Sequence, residues 1–372
     1  MSTDYFKTME LNIYYSTLAA CDDCSADISR LLKDVPIEKI CGVVIFCQEL
    51  KTGYHDMLHN VKSSLKEILE KNIPVTLVPQ PILPDKGLAV EIYTLSPTET
   101  VSFNEGYGLI RSEDSSLIFI EGIASSDFSD SVYGQSSEVF SRLDNILSSH
   151  GFSTDDIVRQ WNYIGNITHH RDGKQNYQEF NDARSAYYQK GSWKSGYPAA
   201  TGIGASCEGI IVGCIAFKGK DCIYPINNPL QIAAHEYSKQ VLIDDNVNAI
   251  KSTPKFERAK LIETGGRAYC FVSGTAAIRG EQSMDADSAR FQTIQTIENI
   301  EYLVSKENLE RHGCKPYDLR LVNLRIYVKD KEDYKEVKAV VDEKYPDTPA
   351  IYTIADVCRK ELLVEIEGIL IS

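Results

Sequence analysis

The chain has 372 residues, 43% hydrophobic and 25% charged, a balance that excludes wholesale disorder and, at roughly 100–200 residues per domain, predicts two or three domains. Acidic residues outnumber basic ones 53 to 39, for a net charge of −14; phosphate binding needs a basic face, so no nucleic-acid partner is expected. The longest apolar runs, 40–47 and 209–217, fall far short of the ~20 residues of a spanning helix, so no membrane partner is expected either. The start, Met1-Ser-Thr-Asp, carries no basic or apolar leader, and with ten cysteines the expectation is a cytoplasmic protein with reduced thiols. Cys21 and Cys24 have CxxC spacing without the second pair a zinc site would want, which favours packed thiols over metal or redox chemistry.

In chain order, Pro74-Val-Thr-Leu-Val78, a loop and Leu88-Ala-Val-Glu-Ile92 read as two strands. Phe119-Ile-Glu-Gly122 is an apolar strand ending in glycine. A variable loop follows, then an amphipathic helix with Val139, Leu143, Ile146 and Leu147 on one face. His150-Gly151 ends that helix, glycine suiting the left-handed residue beyond the last turn. Residues 159–164 form another strand, and 199–217 close this stretch with a final strand at 210–215. Phe271-Val-Ser-Gly274 opens a second copy. It has a helical face of Ile294, Ile297, Ile300 and Leu303, then His312-Gly313 and a strand at 321–328. Pro349-Ala-Ile-Tyr-Thr-Ile354, a loop and residues 362–367 end the chain as 74–92 began it.

The chain therefore reads as three modules of one α+β plan: an abbreviated one at 1–98, a central one at 99–221 and a C-terminal one at 222–372. Each leaves the sheet face opposite its helices bare. Three such faces can bury one another around a common centre with helices outside, giving a monomer.

This plan resembles the YjgF-like, or reactive-intermediate deaminase (Rid), family. The likeness rests on Phe271-Val-Ser-Gly274, the helix after it, and Cys358-Arg-Lys-Glu-Leu-Leu-Val-Glu-Ile-Glu-Gly368. It implies three YjgF/Rid-like (chorismate-mutase-like) modules in a pseudo-trimer. Six blocks from residue 158 onward are similar to the chorismatase family: Val158-Arg-Gln-Trp-Asn-Tyr-Ile-Gly-Asn166, Tyr177-Gln-Glu-Phe-Asn-Asp-Ala-Arg184, Tyr197-Pro-Ala-Ala-Thr-Gly-Ile-Gly204, Asn228-Pro-Leu-Gln-Ile-Ala-Ala-His-Glu-Tyr237, Ser273-Gly-Thr-Ala-Ala-Ile-Arg-Gly280 and the closing 355–367. Chorismatases convert chorismate to pyruvate plus a dihydroxycyclohexadiene carboxylate, 3-hydroxybenzoate or 4-hydroxybenzoate. They need no cofactor or metal, and the resemblance implies the same here. The alternatives are a Rid-like hydrolase of enamines or imines and a non-enzymatic binder of a small metabolite.

The repeat serves as an internal control on the site. Arg359 precedes Glu365 by six residues. The same positions in the central module hold Cys207 and Gly213, while the first module keeps Glu91 but has no arginine in 79–88. One active site, at the edge of the third module, follows. Arginine grips a carboxylate through two parallel charge-assisted hydrogen bonds, so Arg359 is the expected anchor for substrate. Cleaving an enol ether needs a proton delivered to its terminal carbon. Glu365 and Glu367 share one face of a strand, where like charge and partial burial raise a carboxyl pKa; the resemblance selects Glu365 as the general acid. Residue type alone would leave both as strand-edge carboxylates facing water.

Arg159 and Tyr163, four apart on one strand face, would line the far wall of a cleft between modules; a core aromatic with a satisfied hydroxyl is the alternative for Tyr163. Ser273, Gly274 and Thr275 offer backbone N–H groups and a hydroxyl to a carboxylate, or simply a tight turn. The glycines of 199–204 would let backbone approach the substrate closely. Cys358, beside Arg359, reads either as a low-pKa thiol or, more simply, as a packed one, at a position suited to steer which product forms. His235 reads as structural, and His169-His170-Arg171 as a loop.

Overall fold

The computed structural model describes residues 11–19, 28–30, 32, 35, 39–48, 53–84, 87–95, 100–104, 106–112, 114–171, 173–219, 223–238, 252–264, 266–284 and 287–372. Cys21 and Cys24 lie outside the described residues.

Three sheets repeat one four-strand order. The first is β1-β4-β2-β3, built from β1 (Leu11–Ala19), β2 (Ile40–Cys47), β3 (Val75–Pro79) and β4 (Gly87–Leu95). Only β2 and β3 run parallel. The second sheet has the same order in β7 (Ser115–Ala124), β12 (Ile210–Gly219), β8 (Ile157–Gly165) and β11 (Ala199–Ala205), with β8 and β11 the parallel pair. A hairpin of β5 (Thr100–Asn104) and β6 (Tyr107–Arg111) extends it at the β7 edge. The third repeats it in β15 (Arg267–Ala276), β20 (Val364–Ile371), β18 (Arg320–Val328) and β19 (Ala350–Ile354). There β14 (Ala259–Thr264) and β13 (Ile223–Ile226) take the hairpin's place. Among the described residues the first sheet has no such extension. Two short ribbons, β9 (His170–Arg171) with β10 (Lys174–Gln175) and β16 (Ile278–Arg279) with β17 (Gln282–Ser283), complete the strands.

The parallel pairs need crossovers, and helices α1 (Tyr54–Leu69), α3 (Asn176–Tyr188) and α6 (Tyr334–Lys344) lie in them. Helix α2 (Val132–Ser149) lies between β7 and β8, and α4 (Ala289–Leu303) between β15 and β18. Serine caps start both, Ser131 accepting from Gly134 N and Ser288 from Phe291 N. The two His-Gly signals do end helices. Gly151 and Gly313 take φ of 80° and 77°, and Phe152 N and Cys314 N reach back to Leu147 O and Leu309 O in a Schellman closure. The second signal ends a separate short helix, α5 (Lys306–Arg311), rather than α4 itself, because Ser305 caps a new turn after Val304.

One apolar cluster draws on the inner faces of all three sheets: Val44 and Ile92 from the first, Phe119 and Ile211 from the second, Phe271 and Ile369 from the third. Separate clusters fill the space between the second and third sheets and their helices. The seams repeat a threonine contact. Gly122 N donates to Thr76 Oγ1 at 2.8 Å between the first and second sheets, and Gly274 N to Thr201 Oγ1 at 3.0 Å between the second and third. At the third seam Thr353 Oγ1 donates to Gln80 Oε1 at 3.1 Å.

Candidate active site

Two polar assemblies stand out in this framework. The first is a knot in the middle of the three sheets. Glu91 and Tyr93 come from β4, Arg159, Trp161 and Tyr163 from β8, Thr201 from β11, Arg325 and Tyr327 from β18 and Glu367 from β20. Arg159 pairs with Glu367, and Arg325 bridges Glu367 (3.1 Å) and Glu91 (2.6 Å). Glu367 also accepts from Trp161 Nε1, Tyr327 OH and Thr201 Oγ1. Two carboxylates and two guanidiniums thus neutralise one another out of contact with water, the arrangement a buried charge requires. Burial alone would push the Glu367 pKa up, but Arg159 and Arg325 hold it below the usual carboxylate range.

The second assembly is a cleft at the seam between the second and third sheets. Its third-sheet wall holds Glu365, Gly274, Cys358 and Arg359; its second-sheet wall is β11 with Gln175 and the Tyr177, Gln178 and Asn181 side of α3; Tyr237, Phe256 and Arg258 close it. Glu365 is 5% exposed. Burial first, and the Glu367 charge second, push its pKa up to about 8, so it carries a proton at neutral pH.

Two arginines bracket the Tyr237 ring, Arg359 at 5.3 Å and Arg258 at 5.6 Å from its centroid. Arg359 spends Nη1 on Glu281 O (2.9 Å) and Ser283 Oγ (3.1 Å), the latter on β17. Arg258 spends Nη2 on Ile232 O and Tyr237 OH, both at 2.7 Å, and its buried Nε has no partner. Among the described residues neither has a carboxylate within ion-pair distance, and both are under 9% exposed. A buried guanidinium without an anion is costly, so these two arginines are suited to an anionic partner.

The residues singled out from the sequence divide between the two assemblies. Glu365, Arg359, Gly274 and Cys358 meet in the cleft. Burial pushes the Cys358 thiol up to about 12, so it is a neutral, packed group. Arg159 and Tyr163 belong to the central knot, Tyr163 receiving a hydrogen bond from Arg325 Nη1 at 3.1 Å; β11 and α3, not β8, form the far wall. Ser273 fastens the seam, donating to Glu257 O and accepting from Ala200 N. Thr275 bonds back to Ser273 O. Glu91, the carboxylate retained in the first module, is paired with Arg325. The His235 ring lies tilted against Tyr197, their centroids 5.4 Å apart.

Sequence reasoning missed Arg258, Tyr237 and Asn181. Tyr237 and Asn181 lie within blocks that carried the family resemblance. Arg258, just before β14, gave no signal beyond a cation abutting an apolar strand. A Cβ at Gly274 would come within 2.0 Å of Glu365 Oε1, so any side chain there would push that carboxyl aside. Among the described residues no three histidine, cysteine or acidic side chains cluster as metal ligands, and no helix is long and apolar enough to cross a membrane.

A carboxyl of raised pKa and two arginines without carboxylate partners among the described residues thus line one cleft at a sheet seam of this α+β architecture. Residues 94–216 match the sequence family described as chorismatase FkbO/Hyg5-like, N-terminal, and residues 247–371 the one described as endoribonuclease L-PSP. A 3-hydroxybenzoate synthase of Streptomyces hygroscopicus is 32% identical over 60% of this chain and 65% of its own length. A chorismatase of Streptomyces rapamycinicus is 29% identical over 81% of this chain and 87% of its own. The chain thus spans just under two thirds of the first relative and most of the second. A crystal structure of a chorismatase, 21% identical, superposes with a TM-score of 0.73 over 98% of this chain and 99% of that one. Over most of its length the chain is similar to proteins of the chorismatase family.

Proposed function

We propose that the protein converts chorismate to pyruvate and a dihydroxycyclohexadiene carboxylate or a hydroxybenzoate, with Glu365 as general acid. The observation that carries this reading is a carboxyl of raised pKa facing two arginines without anions in one cleft. Chorismate has two carboxylates, and Arg359 and Arg258 can each grip one through their unspent N–H groups. A dianion would supply both arginines with the partners that the protein's own described residues do not.

Glu365 then delivers its proton to the terminal methylene carbon of the enolpyruvyl group. The carbon–carbon double-bond electrons form the new C–H bond and leave an oxocarbenium ion. In the hydrolytic outcome water adds to that ion, the hemiketal collapses to pyruvate and the ring alcohol, and the proton shed by the water returns to Glu365. In the hydroxybenzoate outcome the ring-to-ether C–O bond breaks, pyruvate leaves, and the ring gives up a proton to the Glu365 carboxylate as it aromatises, with no net water consumed. Cys358, a neutral thiol beside Glu365, is the group we assign to steering between outcomes. The relatives named as chorismatases and a 3-hydroxybenzoate synthase support this substrate.

The test is incubation of the purified protein with chorismate and analysis of the products by mass. Pyruvate together with one of the three ring products supports the reading. Unchanged chorismate alongside hydrolysis of an enamine would replace it with the Rid-like alternative.

A further inference from the structure

Arg184, on α3, is 1% exposed and has no carboxylate within ion-pair distance among the described residues. Its guanidinium lies over the Phe180 ring at 5.3 Å, and its Nε is buried without a partner. Its one side-chain hydrogen bond runs from Nη2 to Asn181 Oδ1, at 2.5 Å. A guanidinium has donors only, so the carboxamide oxygen of Asn181 must be the atom that faces Arg184. The NH2 group is therefore turned the other way. Asn181 is itself 1% exposed and lines the cleft opposite Glu365 and Arg359, and among the described residues its Nδ2 has no hydrogen bond. That donor is not among the fully enclosed, unpartnered side-chain atoms, so it opens onto the cleft, where an acceptor on a ligand can pair it.

We propose that Asn181 is a substrate-binding residue whose Nδ2 donates to the ring hydroxyl of the ligand, and that Arg184 is a positioning residue which forbids the flip of that amide. This deepens the chorismate reading and rests on it. The assignment to the hydroxyl follows from the division of the cleft. The two charged donors, Arg258 and Arg359, flank Tyr237 and suit the two carboxylates; the neutral donor on the α3 wall suits the neutral oxygen. Arg184 is one turn beyond Asn181 on the same helix, the spacing at which side chains meet. Since no carboxylate depends on Arg184, replacing it strands no negative charge. A lysine there keeps a head group that only donates, and so keeps the amide turned toward the cleft.

The test compares chorismate with an analogue lacking the ring hydroxyl, in the wild type, Asn181→Ala, Arg184→Met and Arg184→Lys, with KM and kcat measured separately. Loss of one hydrogen bond of this kind costs about tenfold in binding. The expected result is that Asn181→Ala and Arg184→Met raise KM for chorismate about tenfold with kcat within a few-fold. Neither should alter KM for the deoxy analogue, and Arg184→Lys should restore the wild-type preference. A merely structural role would change both substrates alike. Equal penalties on the two substrates, or an unchanged KM for chorismate, would overturn the proposal. Where a variant is less stable, the ratio between substrates still reports, because both are measured on the same folded fraction. Failure of the parent reading shows differently, as a wild type that releases no pyruvate; the hydroxyl preference is then read from the ratio of the two dissociation constants.

Discussion

Replacing Glu365 by glutamine should remove activity and increase stability together, with a pH dependence that identifies the group. The carboxyl titrates near 8 in the folded protein against an ordinary 4.5. Its folded pKa is raised, so its contribution to stability is fully present below pH 4.5 and lost as the pH rises through 8. At about 1.4 kcal/mol per pH unit, the wild type carries a penalty of ~3 kcal/mol at pH 7, reaching ~5 kcal/mol above pH 8. Glutamine keeps the shape and does not titrate.

The melting temperatures of Glu365→Gln and wild type should therefore coincide near pH 4.5, diverge in favour of the variant up to pH 8, and run parallel beyond it. Losing general-acid catalysis costs on the order of 10²–10⁴ in rate, so kcat should collapse while chorismate affinity stays within a few-fold. The wild-type kcat should itself fall above pH 8, as Glu365 loses the proton it must deliver. A melting difference independent of pH, or near-wild-type pyruvate release by the variant, would show that Glu365 is neither perturbed in this way nor the proton donor.

Arg359→Lys keeps the charge but loses the fork, and should raise KM strongly with little change in kcat; unchanged kinetics would move the anchor to Arg258 alone. Glu367→Gln should act mainly on stability, by about 3–5 kcal/mol in denaturation, because it leaves Arg159 and part of Arg325 without an anion. It should also move the alkaline limb of the Glu365 profile to lower pH, since one cause of the raised pKa is gone. Gly274→Ala places a methyl against Glu365 Oε1 and should lower kcat by displacing the carboxyl, read as a kcat loss at unchanged melting temperature. Cys358→Ala should change the ratio of ring products, measured by mass, without abolishing pyruvate release.

Much of this was legible in the residues because it is carried by local patterns. The His150-Gly151 and His312-Gly313 closures and the strands around them follow from turn chemistry and apolar periodicity. The Arg359–Glu365 pair followed from comparing the modules with one another, the choice of Glu365 as acid from the family resemblance, and Gly274 from the N–H groups that the 273–275 turn could offer. The strand period correctly put Glu365 and Glu367 on one face of β20. It could not show that this face passes from the cleft at Glu365 into the central knot at Glu367, because that depends on how three sheets meet. Arg159 and Tyr163 were misplaced for the same reason: their face of β8 does point inward, but toward the knot. Arg258 and Asn181 were hidden because each enters the cleft from an element whose local pattern serves packing, and only the seam between sheets brings them to Glu365.

The account stands or falls on proton delivery by Glu365 to chorismate. The most direct measurement is steady-state pyruvate release at pH 7 by wild type and Glu365→Gln on the same chorismate. The account predicts one pyruvate per chorismate from the wild type and a rate lower by at least about 100-fold from the variant. Comparable rates from the two proteins, or intact chorismate with the wild type, would contradict it.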